Sequence, residues 1–243
     1  MSEAQVQAEV DLVEDNSTIL SDPEISRIPI FADGNDKKFR KFSGSDGREW
    51  VIAEYKKPVS ANYLRAAVLQ QNILHLLIPN YFVLSINHSQ LSQDGTARFI
   101  TSFVDNIDWD KSLNTTGKGW SATKTAGYVA KVKQEPQFQS LVHTFTKLGL
   151  IPITDNEYDK SDLNELAAAT LFDTDGNIIS VDVMKPTTSY SFGEEKISRS
   201  FLIPEEVRQI AAELGLSEEV EAMLNEYLEV TQELIREEGN EKN

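Results

Sequence analysis

Apolar and polar positions change period several times along these 243 residues, and the changes outline the elements. From about 28 to 56 the period is that of strands. Ile28-Pro29-Ile30-Phe31 and Trp50-Val51-Ile52-Ala53-Glu54-Tyr55 stand either side of Ser43-Gly44-Ser45-Asp46-Gly47, a turn signal, and predict a hairpin. Residues 60–77 switch to helical spacing, with Ser60 as N-cap, one stripe made by Leu64, Ala67, Val68, Leu74 and Leu77, and Pro79 as the stop. Extended segments follow at Tyr81–Ile86 and Arg98–Val104, so the first 105 residues read β-β-α-β-β. Beyond a polar loop, Pro136 divides helical patterns near 122–133 and 137–148, and Asp162-x-x-Glu165 has the form of a capping box. Two β-like runs around Asp175-Gly176 make the clearest hairpin, near 170–183. The end is helical, with Pro204 as a first-turn residue, Gly215 as a stop, and Val220, Leu224, Tyr227, Leu228 and Thr231 on one face.

The expected fold class is therefore α+β: a small antiparallel-sheet N-terminal lobe with one helix, then a mainly helical C-terminal lobe with a β-hairpin. Residues 1–25 form an acidic tail, 26–105 the β-rich lobe and 106–243 the helical lobe with acidic C-terminal helices. Charge sharpens this division. The net −16 is carried by the ends, since residues 1–25 hold seven acids and no base and residues 203–243 hold twelve acids against three bases. Such a balance argues against nucleic acid as a partner, because a phosphate backbone needs a cationic footprint. No stretch reads as a secretory signal or membrane span, so the expected location is cytoplasmic, or inside a host cell if the protein is delivered there. The absence of cysteine removes disulfides and thiolate chemistry.

Candidate chemistry is sparse. His75, His88 and His143 lie far apart, and no nucleophile elbow, Walker loop or dinucleotide fingerprint occurs. Asp173-x-Asp175-Gly176 has the look of half a calcium loop and equally of a hairpin turn; Asp105, Asp108 and Asp110 could converge on a cation or sit in a solvated loop. Lys56 and Lys57 close a strand, where they could reach a phosphate or simply add charge. Asp182 ends the strand Ile179–Val183, either as a metal-binding carboxylate or as a polar strand end.

Taken in order, these elements resemble a small, divergent protein-kinase-like fold, nearest its atypical branch of bacterial effector and lipid-kinase-like proteins. The resemblance spans roughly residues 38–235. It implies ATP and Mg²⁺ as cofactors, with Asp182, six residues after Gly176, inheriting the metal role. It also exposes departures. The position of the phosphate-holding lysine is Glu54, which only Lys56 or Lys57 could replace by a shift in register. Residues 61–77 contain no acid to pair with such a lysine, and Asn164 and Ala169 fall where the catalytic Asp and metal-binding Asn belong, leaving Asp162 as a displaced base. The Glu-rich C-terminus is similar to the tails of secreted bacterial effectors. The resulting expectation is a kinase-like binding or regulatory protein, a pseudokinase engaging a protein partner. The alternatives are an active atypical kinase or transferase using Lys56 or Lys57 with Asp162 and Asp182, and a non-enzymatic structural or assembly protein of phage origin acting through protein contacts.

Overall fold

The computed structural model describes residues 25–33, 37–44, 47–86, 88–92, 95–112, 126–150, 153–154, 157–158, 160–181, 188–192, 195–199 and 202–240. The fold is α+β. Strands β1 (Ile30–Asp33), β2 (Lys37–Ser43), β3 (Glu49–Tyr55), β4 (His88–Leu91) and β5 (Ala97–Ser102) form an antiparallel sheet in the order β1-β2-β3-β5-β4, with helix α1 (Ala61–Leu77) between β3 and β4. Then follow α2 (Trp109–Ser112), α3 (Ala126–Gln134), α4 (Pro136–Lys147), the short pair β6 (Ile153–Thr154) and β7 (Glu157–Tyr158), and α5 (Lys160–Ala169). The hairpin β8 (Leu171–Phe172) and β9 (Ile178–Ile179), a second pair β10 (Thr188–Phe192) and β11 (Glu195–Arg199), and helices α6 (Pro204–Leu214) and α7 (Ser217–Asn240) complete the chain. No described helix is long and apolar enough to cross a membrane.

The turn at Gly47 leads into β3 as expected, but the run Ile28–Phe31, read as the other strand of that hairpin, falls at the outer strand β1; the partner of β3 across the turn is β2, which the pattern missed. β2 reads Lys-Lys-Phe-Arg-Lys-Phe-Ser, and its cations mask the alternation that places Phe39 opposite Ala53 and Phe42 opposite Trp50. Period-two geometry gives the sheet two apolar faces. Ala53, Tyr55 and Phe99 pack on Leu64, Ala67 and Val68 of α1; Trp50, Ile52 and Ile100 pack on Ile25, which is buried at the border of the expected tail.

Helix α1 begins where its sequence says it should. Ser60 Oγ accepts from the Tyr63 amide at 3.1 Å, capping the first turn. Its opposite side, with Ala66, Leu69, Ile73, Leu74 and Leu77, belongs to a second and larger core shared with α3, α4, α6 and α7. α1 is thus the common wall of the sheet and the helical part, and this explains its apolar circumference. α7 lies along it. Buried Tyr227 donates to Gln70 Oε1 at 2.8 Å, Arg65 Nε bonds Glu226 at 2.6 Å, and Ser60 Oγ and Asn62 Nδ2 donate to the Glu237 carboxylate at 2.9 and 2.7 Å.

Tyr81–Ile86, expected as a strand, runs instead along α1, and only Phe82 makes a bridge, to Ser180. Its backbone is satisfied by helix side chains in place of a ladder. His75 Nδ1 meets the Phe82 carbonyl at 2.6 Å, Gln71 Nε2 donates to Leu84 at 2.8 Å, and Asn72 accepts from and donates to Ile86 at 2.7 and 3.0 Å. The strand is displaced to β4, opposite Ala97–Ile100. Pro204 occupies the first turn of α6, and Gly215 ends it at φ +74, the left-handed cap its position predicts.

Candidate functional site

The residues expected to carry chemistry divide between two regions, the sheet with its cations and the β8–β9 hairpin. On the sheet, Glu54 of β3 stands directly opposite Arg98 of β5, and Arg98 Nε reaches Glu54 Oε2 at 2.7 Å with side chains 13% and 10% exposed respectively. This is a nearly enclosed, hydrogen-bonded ion pair. Lys56 lies one residue beyond β3 and pairs with Asp33 of β1 at 2.5 Å, at the rim of the sheet. Lys57 is exposed.

The cation that sequence reasoning missed is Lys37. At 5% exposure it is the one buried lysine among the described residues, its ammonium 5.4 Å from the Tyr55 ring centre and 5.8 Å from that of Phe99. Its register opposite Tyr55 puts it on the α1 side of the sheet. The signal was present, since Lys37, Phe39 and Lys41 share one parity, but four cations among residues 37–42 mask it.

The hairpin is held from outside by the segment that leaves β5. The Asp108 amide donates to the Phe172 carbonyl at 2.9 Å and the Thr174 amide to that of Asn106 at 2.8 Å. Ser112, fully buried, donates through Oγ to the Phe172 carbonyl at 3.2 Å and accepts from its amide at 2.8 Å. A second polar knot sits at Thr170. Its hydroxyl donates to Leu166, so Tyr81 must donate to it at 2.9 Å, and Tyr128 donates to the Thr170 carbonyl at 2.8 Å. Burial pushes the Tyr128 phenol up to about 12, against a smaller opposing effect from the Ser112 hydroxyl.

The Asp173 carboxylate is committed to the turn. It accepts from the Asn177 amide at 2.7 Å and from Asn177 Nδ2 at 3.0 Å, while Gly176 takes φ +87. Asp175 is exposed, and Asp108 caps α2 by accepting from the Lys111 amide at 2.9 Å. Among the described residues, no three His, Asp or Glu side chains gather as a metal site would require. Asp182 lies outside the described residues, which reach Val181; the Ser180 amide just before it donates to Tyr81 at 2.7 Å. Asp162 lies in the first turn of α5, which starts two residues earlier at Lys160, so it is not the N-cap the capping-box pattern predicted. Its side chain is outside the described set.

No family model and no curated protein matches the chain. Among solved structures it is similar to an apo pseudokinase, at 10% identity and a TM-score of 0.39, over 70% of this chain and 58% of that one. The chain thus spans under two thirds of that protein's length.

Proposed function

We propose that this chain is a degenerate kinase-like protein that acts by binding a protein partner and does not transfer phosphate. The observation that carries the reading is the state of position 54. Where the kinase resemblance calls for a lysine to hold nucleotide phosphates, Glu54 presents a carboxylate locked to Arg98 at 2.7 Å. A carboxylate repels phosphate, and turning it away would break an ion pair shielded from water, at a cost of about 3 kcal/mol. The surroundings of the two possible substitutes support the same reading: Lys56 is paired with Asp33 at the sheet rim and Lys57 is exposed. α1 offers no acid, and its central Gln70 and Gln71 are buried and bonded to Tyr227 and Leu84. The residues at this position do not fit the phosphates of ATP.

Thermal unfolding with and without ATP and Mg²⁺, on the native chain and on Asp182→Ala, tests the reading. A ligand at 100 times its dissociation constant adds about 2.7 kcal/mol to the folded state. The expected result is no shift at millimolar nucleotide. A stabilisation abolished by Asp182→Ala would overturn it in favour of a transferase built on Lys56 or Lys57, Asp162 and Asp182.

A further inference from the structure

On the face of the sheet turned away from α1, Glu54 is committed to Arg98 and Asp33 to Lys56. Arg40 of β2, half-buried on the same face, meets no carboxylate. Its Nη1 donates to the Ile28 carbonyl, and its Nε is buried with no acceptor. On the neighbouring strand the indole Nε1 of Trp50, a residue only 2% exposed, is likewise buried without an acceptor. Both groups can donate a hydrogen bond and cannot accept one. The register sets Arg40 opposite Ile52 and Trp50 opposite Phe42. The two are therefore diagonal neighbours on one face, about 7–8 Å apart at their stems, a span that long and aromatic side chains bridge. They also meet under one turn, since Ile28, which accepts from Arg40, packs with Ile25 on the cluster of Trp50, Ile52 and Ile100. Leaving such donors unmade is costly, and a half-buried guanidinium without an opposing charge is costlier still.

We propose that Arg40 and Trp50 form a binding site for the carboxylate of a small aliphatic monocarboxylic acid, beside the Ile25–Ile28 turn. With Nη1 taken by Ile28, the guanidinium offers its Nε–Nη2 edge, two parallel N–H groups spaced to meet the two oxygens of one carboxylate. Trp50 Nε1 supplies a further donor from the adjacent strand. A water molecule could accept from either group but would leave the positive charge unmatched. A phosphate dianion would bring a second negative charge against Ile25, Trp50, Ile52 and Ile100, all buried, where one guanidinium offsets one charge. Ile28 and Phe42, half-buried at the border of that cluster, give an apolar wall for the body of the acid.

Titration of the full chain with sodium butyrate, against sodium chloride and phosphate at matched ionic strength, tests the site by two readouts. Butyrate should raise Tm saturably, by about 3–6 °C at ten times its dissociation constant. It should also shift the Trp50 indole N–H resonance, identified among the three tryptophans as the signal absent from Trp50→Phe. Arg40→Lys, which keeps the charge and loses the fork, and Trp50→Phe, which loses only the indole donor, should each weaken butyrate severalfold. Equal responses to butyrate and chloride, tighter binding of phosphate than of butyrate, or an indole resonance that stays still while Tm rises would each overturn the proposal. Should either variant fold poorly, the native chain decides: its Trp50 indole, assigned through its own side-chain carbons, must titrate with butyrate at the concentration that raises Tm, and a flat response refutes the site.

Discussion

Replacing Tyr227 by Phe probes the joint between α7 and α1 with almost no change in volume. The phenol is fully buried, donates to Gln70 Oε1 at 2.8 Å and accepts from the Leu202 amide at 3.4 Å, the latter long enough to contribute little. Burial holds this phenol well above its ordinary range, so at neutral pH the proton it donates is firmly in place. Removing the hydroxyl takes one partner from a side chain with no access to water. The cost is that of a buried group left under-satisfied, about 1–3 kcal/mol, and the lower half applies because Gln70 keeps a further interaction. For a chain of this size each kcal/mol lowers Tm by about 2–4 °C. Urea unfolding followed by circular dichroism should show a lower midpoint at unchanged m-value. The partner change is the sharper test. Gln70→Leu alone should destabilise, yet the double variant should lose less than the sum of the singles, because replacing both polar partners by apolar groups is nearly neutral. Strict additivity within about 0.5 kcal/mol would refute the claim that this hydrogen bond couples the two helices.

Further outcomes follow from the same geometry. Glu54→Gln should destabilise by about 3 kcal/mol by stranding the Arg98 charge, measured by chemical unfolding; a neutral result would mean that Arg98 finds water or another acid. Deleting residues 216–243 removes buried Val220, Leu224, Tyr227 and Leu234 and should abolish the cooperative transition, whereas a truncated chain that melts normally would make α7 a detachable docking helix. Gly215→Ala should cost about 1 kcal/mol through backbone strain alone, because a Cβ there meets nothing within 4 Å and only the left-handed φ of +74 is at issue. Tyr128 predicts an alkaline limit: its folded value of about 12 lies above the ordinary one near 10, so its contribution is complete below about pH 10 and is lost as pH rises toward 12. Urea midpoints across that window should fall less steeply for Tyr128→Phe.

The elements whose local sequence dictates their geometry could be read directly. Ser60 before an apolar stripe, Asp-Gly between two apolar runs, and Gly215 after α6 are satisfied by neighbours within a few residues, and each is found where expected. What escaped depends on groups distant in sequence. Nothing in Tyr81–Ile86 says that Gln71, Asn72 and His75 will take its backbone bonds, and nothing in Lys-Ser at the end of α2 says that Ser112 will bond Phe172 sixty positions on. The chemistry of the sheet was half legible. Glu54 could be recognised as a departure from the kinase pattern, but its pairing with Arg98 needed the register of β3 against β5, and the burial of Lys37 needed the face set by Tyr55. Asp162 illustrates the opposite error, in which a motif with a good local explanation lay two residues inside a helix that had already begun.

The joint between the two helices also has a consequence for how the protein is made. Its bonds span 157 to 177 positions, from Gln70 to Tyr227 and from Ser60 to Glu237. A ribosome releases α1 long before α7, and for that interval the core that Leu69, Ile73, Leu74 and Leu77 share with α3, α4, α6 and α7 lacks the contribution of α7. The nascent chain therefore carries an incompletely covered apolar helix until α7 emerges, and a product stalled before α7 would meet the cell as a substrate for chaperones and proteases.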